Sequence, residues 1–402
     1  MTQTSEYQGP LAGLNVLDFG HYYAGPMVGM MLADQGANVI RIVKPGKPEL
    51  REQQYRLLNR NKKLLELDLK TPEGKAQAEL LIEKTDVFIE NFRPGVMQRL
   101  GLDYASLKAS NPDLVYLSLP GFASTDKERA SIQAWEGILG AAACAYTQTS
   151  PIRQTLKFPP LYTPVPQCST YGAVCGAVAV MAALVARQTH GQGTVIEAPL
   201  VNAGLSAVSM NFAGLADSPV LETKKNCFAY STEDDPTAQL DKLDNAMRAL
   251  LGLLSKSFVC ADGKEIYIST YLTGQFIERF LKALGIDKQV KREGFVNAGP
   301  WETGLDNDVG NTTLLSDERK RRLTQLISEA MLTRTALEWE AFLAKAGVPA
   351  TVIRTRQEYL TLEPMMKSGV LVPLTGDAST LTVPGRLADV SGPDEALINT
   401  YR

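Results

Sequence analysis

The segment "GLNVLDFGHYYAGPMVGMMLADQGANVIRIVK", residues 13–44, decides the fold. Its first part, 13–20, is a short apolar run between two glycines and is typical of a buried strand. The stretch 24–37 follows as a helix with a proline in its first turn, and 38–44 is a second apolar strand. A strand–helix–strand unit of this length predicts two parallel strands joined by a right-handed crossover.

The same alternation continues along the first third of the chain. Further strands are predicted at 63–70, 86–91 and 113–121, with a helix over 71–84 that begins at Thr71 as N-cap. This pattern predicts the α/β fold class, with a Rossmann-like large domain.

The rest of the chain predicts a second, smaller α/β domain. The remaining predicted elements are a helix over 170–187, a strand running into a helix over 194–214, a polar loop over 215–245, a hairpin over 257–270 that turns at Asp262-Gly263, helices over 273–285 and 316–346, a strand and helix start over 347–360, and an extended tail over 371–392. We therefore expect a large domain from 1–215, a small domain with its linkers from 216–335, and a return to the large domain over 336–402.

Composition excludes several classes of protein. The net charge of −3 argues against a nucleic-acid partner, which usually meets a basic face. The N-terminal stretch is polar, and the most apolar run, 173–186, is shorter than the roughly 20 residues of a membrane span. Five cysteines without metal-ligand spacing indicate buried, reduced thiols in a cytoplasmic protein, and only two histidines argue against a metal site.

Several basic residues close or flank the predicted parallel strands. They are Arg41, Lys44, Lys62, Lys63, Lys70, Arg93 and Arg99. The carboxyl ends of parallel strands share one edge, where ligands bind in open α/β sheets. Cationic groups gathered there suit a polyphosphate ligand.

Five motifs in order resemble the family III CoA-transferases, which include formyl-CoA transferase, carnitine CoA-transferase and α-methylacyl-CoA racemase. The motifs are "GPLAGLNVLDFGHYYAGPMVGMMLADQGANVIRI", "NRNKKLLELDLKTPEGKA", "DVFIENFRPGVMQRLGLDYASLKASNPDLVYLSLPGF", "ALVARQTHGQGTVIEAPL" and "DGKEIYIS". The resemblance implies a large Rossmann-like domain, a small domain, an interlocked dimer of two chains, and coenzyme A or acyl-CoA as substrate with no metal.

The resemblance also implies which residues hold CoA. Tyr23 and Ala24 would border the thioester, and Lys44 would approach the phosphates. The adenosine pocket would be lined by Leu67, Asp68, Leu69 and Lys70. The pyrophosphate site would include Asn91, Phe92, Arg93 and Arg99. The segment 126–129 would lie near the 3′-phosphate or the pantetheine arm.

The family's nucleophile is an aspartate, and this sequence places Ser169 at the matching position, 18 residues before Arg187. Transferases of the family form a mixed anhydride and then a CoA thioester on that carboxylate. A serine hydroxyl has no carbonyl carbon on which CoA could be held. The stretch 137–196 contains no Asp or Glu, so the nearest acids along the chain are Glu136 and Glu197. Ser169 or Thr170 is expected to be the N-cap of the following helix.

Two further departures accompany this one. The segment 131–140 lacks the histidine that the racemases pair with the aspartate, and 231–245 replaces the glycine-rich loop that shields the formyl-CoA transferase intermediate. The resemblance therefore implies a subunit without a nucleophile, paired with a catalytically competent paralogue in a heterodimer or heterotetramer. Succinyl-CoA:(R)-benzylsuccinate CoA-transferase is a two-subunit member of this kind. Two alternatives stay open: a homodimeric acyl-CoA lyase, isomerase or Cys168-dependent acyl transferase, and a non-enzymatic CoA-binding protein.

Overall fold

The computed structural model describes residues 9–46, 51–145, 165–207, 254–270, 274–298, 306–312, 315–375 and 380–388. Contacts within the chain divide it into two compact units. The first unit combines Met1–Phe228 with Glu363–Arg402, and the second is Ala229–Leu362.

The first unit alternates strands and helices, as the sequence predicts. In chain order, its described elements are β1 (Asn15–Asp18), α1 (Ala24–Asp34), β2 (Asn38–Val43), α2 (Glu52–Asn59), β3 (Lys63–Glu66), α3 (Pro72–Ile82), β4 (Val87–Glu90), α4 (Val96–Leu100), α5 (Tyr104–Leu107), β5 (Val115–Ser118), α6 (Glu136–Ala142), α7 (Gln167–His190), β6 (Thr194–Glu197) and α8 (Leu200–Ala207). Thr71 caps α3 as predicted, since its hydroxyl accepts a hydrogen bond from the Gly74 amide at 3.1 Å.

Six of these strands form one parallel sheet in the order β3-β2-β1-β4-β5-β6. Val16 of β1 aligns with Val39 of β2 on one side and with Val87 of β4 on the other. The chain winds outward from β1 in both directions, so the strand order reverses between β1 and β4. Such a switch point opens a crevice at the carboxyl edge of a doubly wound sheet, and the α/β prediction is confirmed.

Both faces of the sheet are covered by apolar side chains. Residues of α1, α7 and α8 pack on one face with Val16, Val87 and Leu117, while Ala78 and Ile82 of α3 cover Leu17 and Phe88 on the other. The central strands β1, β4 and β5 are almost entirely buried, as is usual in a parallel sheet covered on both faces, whereas the edge strands β3 and β6 are partly exposed.

Helix α7 spans 24 residues and begins three residues earlier than predicted. The expectation that Ser169 or Thr170 caps it is wrong. The helix starts after Pro166, and no side chain at that position caps it. The carboxylate of Glu136 from α6 instead accepts hydrogen bonds from two amides of the first turn. Among the described residues, α7 is the one helix long and apolar enough to span a membrane, with a mean hydropathy of 1.8. One side of it packs against α1, α8 and β5 in the core.

The second unit contains a three-stranded antiparallel sheet and helices. Its described elements are β7 (Ser255–Val259), β8 (Glu265–Ser269), α9 (Gly274–Ala283), α10 (Asp287–Arg292), a 3₁₀ turn (Val309–Asn311), α11 (Asp317–Met331), α12 (Ala336–Lys345), β9 (Ala350–Val352) and α13 (Arg356–Leu360). The predicted hairpin is confirmed: β7 pairs with β8, and Gly263 supplies the left-handed turn residue with φ 73°. The predicted helix over 316–346 is two helices, because Thr335 forms a capping box with Glu338 and starts α12 anew.

The chain returns to the first unit at Glu363, not at 336 as expected. Strand β9 pairs with β8, which keeps α12 and β9 in the second unit. The returning segment comprises α14 (Glu363–Lys367), β10 (Leu371–Thr375) and β11 (Thr380–Pro384). Arg60 fastens it by donating to the Gly385 carbonyl at 2.9 Å while it pairs with Asp34 at 2.6 Å. The boundary expected between 215 and 216, the predicted loop 215–245 and the lid region 231–245 lie outside the described residues.

Candidate active site

The loops that follow β1 and β4 are joined across the switch point of the sheet. The Asn91 side chain accepts a hydrogen bond from the His21 amide at 2.7 Å and donates one to the His21 carbonyl at 2.9 Å. The rings of His21 and Phe92 meet edge to face at 4.6 Å. The Asn91 side chain, predicted as a CoA ligand, therefore holds the loop that begins the crevice.

The same loop contacts the segment that leads into α6. Tyr22 has a left-handed backbone, with φ 57°, and its ring meets Trp135 edge to face at 4.5 Å. Arg93 donates to the Ser131 carbonyl at 3.0 Å. These contacts connect the crevice at β1 and β4 to the start of α6, where Glu136 lies.

A cavity of about 300 Å³ opens at the carboxyl ends of β2 and β3. It is lined by Gly20, His21, Arg41, Ile42, Val43, Lys44, Pro45, Gly46, Tyr55 and Glu66. Arg41 is buried; it donates to Asn59 Oδ1 at 2.6 Å and lies over the Tyr55 ring. Arg41 Nε and Asn59 Nδ2 are buried donors for which the described residues supply no acceptor. Lys44 is exposed, so the cavity wall combines an exposed cation with the buried guanidinium of Arg41.

Lys62, one of the basic residues that flank the third predicted strand, is a structural residue and not an open phosphate ligand. Its ammonium pairs with Asp18 at 2.8 Å, and neither side chain is exposed. Burial lowers the pKa of Lys62 to about 8, although the pairing with Asp18 opposes this shift. Helix α1 can pass the pair only with glycine at position 29, where a Cβ would lie 2.6 Å from Asp18 Oδ2.

The other predicted CoA residues follow strands β1, β3 and β4 along the chain, in loops or in the helices α1 and α4. Lys70, Arg93 and Arg99 are exposed, and Tyr23 and Ala24 lie at the start of α1. The Leu67 side chain is buried in the core, and its assignment to CoA stays a prediction.

Two further predicted regions have local partners. Asp68 accepts from the Lys70 amide at 3.0 Å within a turn, and Leu69 packs partly against the core. In the segment 126–129, Arg129 pairs with Asp126 at 2.6 Å. The assignment of these residues to CoA stays a prediction.

A buried carboxylate ends β4 at the same edge. Glu90 accepts from the Phe92 amide at 2.7 Å, and burial raises its pKa to about 7, against hydrogen bonds from Ser118 and Phe92 that lower it. Glu197, at the end of β6, adds a smaller repulsion in the same direction. Glu90 thus changes charge near neutral pH in the middle of the sheet edge.

Glu136 and Ser169 meet at the N-terminus of α7. Glu136 Oε1 accepts from the Cys168 amide at 2.8 Å, while Oε2 accepts from the Ser169 amide at 3.1 Å and from the Ser169 hydroxyl at 2.5 Å. The last distance is typical of a hydroxyl donating to a charged carboxylate. A carboxylate is also stabilised at a helix N-terminus, where amides without a helical partner point at it. The position predicted for the nucleophile is therefore bonded to a carboxylate from another helix.

Cys168 is packed and not poised as a nucleophile. Its side chain is buried, and a Cβ at Gly204 would lie 2.4 Å from its sulfur, so only glycine fits opposite it. Burial, and to a smaller extent the neighbouring Glu136 carboxylate, raise the pKa of the Cys168 thiol to about 12. A thiol with this pKa is not a thiolate at neutral pH.

Glu136 was not predicted as a site residue, because it lies 33 residues from Ser169 along the chain. The available signal was the position of Glu136 as the last acid before an acid-free stretch that includes the helix start. Within the described ranges, no group of three or more His, Cys, Asp or Glu side chains is arranged to hold a metal ion.

Comparison with solved structures identifies the fold. The chain aligns with Rv3272 from M. tuberculosis at a TM-score of 0.69 and 24% identity, covering 96% of this chain and 94% of that one. It aligns with a CaiB/BaiF family protein from Brucella suis at a TM-score of 0.67 and 23% identity, covering 95% and 97%.

Comparison of sequences identifies the family. CoA-transferase/lyase DddD of Marinomonas sp. (strain MWYL1) is 33% identical over 394 residues, which are 97% of this chain and 47% of that protein. Succinyl-CoA–D-citramalate CoA-transferase of Chloroflexus aurantiacus (strain ATCC 29366 / DSM 635 / J-10-fl) is 36% identical over 202 residues, 47% of this chain and 48% of that protein. The matched part spans about half the length of these curated relatives. The sequence model of CoA-transferase family III matches residues 11–398 of the chain. The chain belongs to this family.

Proposed function

We propose that this chain is a CoA-binding unit of a family III CoA-transferase and that its nucleophile is supplied by a second, catalytic unit of the same family. The complete enzyme would move CoA from an acyl-CoA to a carboxylic acid. One observation carries the proposal: Ser169 stands at the position predicted for the nucleophile, and its hydroxyl is bonded to Glu136 at 2.5 Å.

The chemistry of the transfer explains why this matters. The nucleophile must contribute its own carbonyl carbon, because CoA is held on that carbon as a thioester while the donor acid leaves. A serine that attacks an acyl-CoA gives an ordinary ester of the donor acid, and the CoA departs. Ser169 therefore cannot carry CoA between two acids.

The CoA site that we propose includes the cavity beside Lys44. CoA carries phosphates and a pyrophosphate, and Lys44 offers a positive charge at the strand end where such groups bind. Arg41 lines the same cavity, and its Nε is a buried donor for which the described residues supply no acceptor, which suits a ligand with acceptor atoms. This part of the family's machinery has suitable groups here, in contrast to the position of the nucleophile.

Two features support a partner unit. An apolar stripe on α7 is exposed along its length and comprises Tyr171, Val174, Val178 and Val185. Apolar faces of this extent usually lie in protein interfaces. DddD aligns with almost this whole chain through only 47% of its own length, so the remainder is long enough for a second unit of this size. We propose a heterodimer or heterotetramer, interlocked as in other members of the family, in the cytoplasm.

One alternative keeps support from a relative. The name of DddD includes a lyase activity, so an acyl-CoA lyase is the second candidate. A Cys168-dependent transferase is disfavoured because the raised pKa of that thiol keeps it protonated. A non-enzymatic CoA-binding protein would share the cavity but would activate no partner.

Co-expression with a family III unit encoded beside this chain tests the proposal. The complex is assayed for CoA transfer from succinyl-CoA to a panel of aromatic and dicarboxylic acids, and each unit is assayed alone. We expect transfer by the complex and none by this chain alone. Transfer at the same rate by this chain alone would contradict the proposal, and CoA binding without transfer in either preparation would favour the non-enzymatic alternative.

A further inference from the structure

The second unit contains a cavity of about 260 Å³ between the edge strand β7 and helix α11. Strand β7 contributes Lys256, Phe258 and Val259 to its wall, and α11 with its C-cap residue contributes Thr324, Ser328 and Leu332. The last three recur every four residues, so they form one stripe along the helix. The cavity is therefore enclosed by one strand and one helix face.

Lys256 is a charged residue on the face of β7 that covers the core. Alternate residues of a strand share one face, and the neighbours of Lys256 on that face, Leu254 and Phe258, belong to the apolar core. In the pairing with β8, Lys256 stands opposite Ile268, which is fully buried. Lys256 itself is only 4% exposed. Burying an ammonium costs free energy unless a polar or negatively charged group meets it, so this side chain brings a demand for such groups into an apolar face.

The polar groups of the cavity wall suit an anion with a single charge. The Lys256 Nζ lies 5.1 Å from the centre of the Phe258 ring, a cation–π contact that holds the ammonium in the wall. An ammonium has three N–H donors, more than one contact within the chain requires. Thr324 and Ser328 each add a hydroxyl from the helix side. One cation with two hydroxyl donors matches a carboxylate, whose two oxygens accept several hydrogen bonds.

The rest of the wall is apolar and leads to the surface. Phe258 is buried, whereas Val259 and Leu332 are 42% and 55% exposed, so the cavity meets solvent at these two residues. Lys256 and Val259 are three residues apart, which is about 10 Å along a strand. A chain of several carbon atoms can therefore extend from the buried ammonium to the surface. A phosphate would bring two charges to the single cation of the described wall and would leave the apolar part unused.

We propose that this cavity binds a small organic carboxylate with an apolar tail, and that the ammonium of Lys256 and the hydroxyls of Thr324 and Ser328 hold the carboxylate. The tail lies along the apolar wall and reaches the surface. Sites for small ligands commonly combine mostly apolar walls with a few polar groups that fix the orientation of the ligand. This site does not rest on the proposed function, because the cavity beside Lys44 belongs to the other unit.

Binding of hexanoate to the purified full-length chain tests the proposal. We measure dissociation constants by calorimetry at neutral pH for hexanoate, for its uncharged analogue hexanamide, and for acetate, which lacks the tail. The wild type should bind hexanoate at least about tenfold more tightly than either analogue, because one has no charge and the other little apolar surface. Inorganic phosphate, added as a competitor, should not displace hexanoate.

Two variants show whether hexanoate binds in this cavity. Lys256→Met keeps a long unbranched side chain but removes its charge, and it should weaken hexanoate binding at least about tenfold while leaving that of hexanamide unchanged. Ser328→Leu fills the cavity from the helix side and should weaken hexanoate binding to a similar extent, which keeps the test valid if Lys256→Met folds poorly. Lys288→Met, at an exposed lysine of α10 in the same unit, is the matched control and should bind hexanoate as the wild type does.

Three results with the wild type would overturn the proposal: no saturable binding of hexanoate, equal affinity for hexanoate and hexanamide, or displacement of hexanoate by phosphate. Hexanoate binding that is unchanged in both Lys256→Met and Ser328→Leu would overturn it as well, because the acid would then bind elsewhere. Transfer activity of the isolated chain is a separate outcome, which would contradict the proposed function whatever the affinity for hexanoate.

Discussion

The two ends of the candidate site differ in whether they keep the groups that the family resemblance predicts. At the proposed CoA end, the sheet edge, the cavity and the cation Lys44 are present, and a fully buried ion pair lies at the end of β1. At the other end, Ser169 stands at the position predicted for the nucleophile, and Glu136 accepts hydrogen bonds from its amide and its hydroxyl. Under the proposed function, the fold keeps its ligand-binding frame while the reacting group is replaced.

The largest effect is expected from breaking the ion pair that supports the CoA end. Lys62→Ala leaves the Asp18 carboxylate buried without its cation, which typically lowers the free energy of unfolding by about 3–5 kcal/mol. Urea denaturation measures the loss. Lys63→Ala, an exposed neighbour on β3, should change stability by less than about 0.5 kcal/mol. Equal losses from both variants would show that the pair does not support the frame.

The buried carboxyl group of Glu90, at the end of β4, should make the free energy of unfolding depend on pH. Its pKa in the folded protein, about 7, lies above the ordinary value of 4.5, so the folded state binds the proton more tightly. The free energy of unfolding should therefore fall as the pH rises from about 4.5 to about 7, by up to roughly 3 kcal/mol for this group.

Glu90→Gln checks that dependence. The amide cannot ionise, so stability of the variant should change less than that of the wild type between pH 4.5 and pH 7, as measured by chemical denaturation at several pH values. Glu83→Ala, an exposed acid on the other edge, supplies the control. Parallel pH profiles for the wild type and Glu90→Gln would sink this prediction.

At the other end of the site, Ser169→Asp alone should be unfavourable. It brings a second carboxylate beside Glu136, and two carboxylates at this separation cannot both be ionised without cost. We expect this repulsion to lower the free energy of unfolding by about 1–3 kcal/mol, as measured by urea denaturation. In a Glu136→Gln background the same substitution should cost less, because the amide carries no charge. A loss of the same size in both backgrounds would mean that the two positions do not interact.

The smallest expected effect concerns the affinity for CoA. Lys44→Ala removes a cation from the cavity wall and should weaken CoA binding about tenfold, with less difference at high salt. Lys84→Ala, an exposed lysine at the amino edge of the sheet, should leave the affinity unchanged within about twofold. Calorimetric titration of both variants decides whether the cavity beside Lys44 is the CoA site.

Local sequence signals predicted most of the fold. The apolar runs and helix between residues 13 and 44 gave the parallel unit, and Thr71 and the Asp262-Gly263 turn marked a helix start and a hairpin. These features depend on neighbours only a few residues away. The split of 316–346 into two helices was missed because Thr335 lies within one continuous helical pattern.

The candidate site was less predictable because its decisive contacts join distant parts of the chain. Lys62 resembles a surface lysine until its partner Asp18, 44 residues earlier, is brought beside it. Glu136 lies 33 residues from Ser169, yet the folding of α6 against α7 makes the two side chains partners. The type of residue at each position was visible in the sequence, but its environment was not.

Mass spectrometry of the intact units after incubation with succinyl-CoA tests the central claim most directly. In the complex of this chain with its catalytic partner, rapid quenching should trap CoA as a covalent thioester on the partner and leave the mass of this chain unchanged. The same treatment of this chain alone should give no adduct. A CoA adduct on this chain, mapped to Glu136 or to any other residue, would show that it carries a nucleophile and would contradict the account.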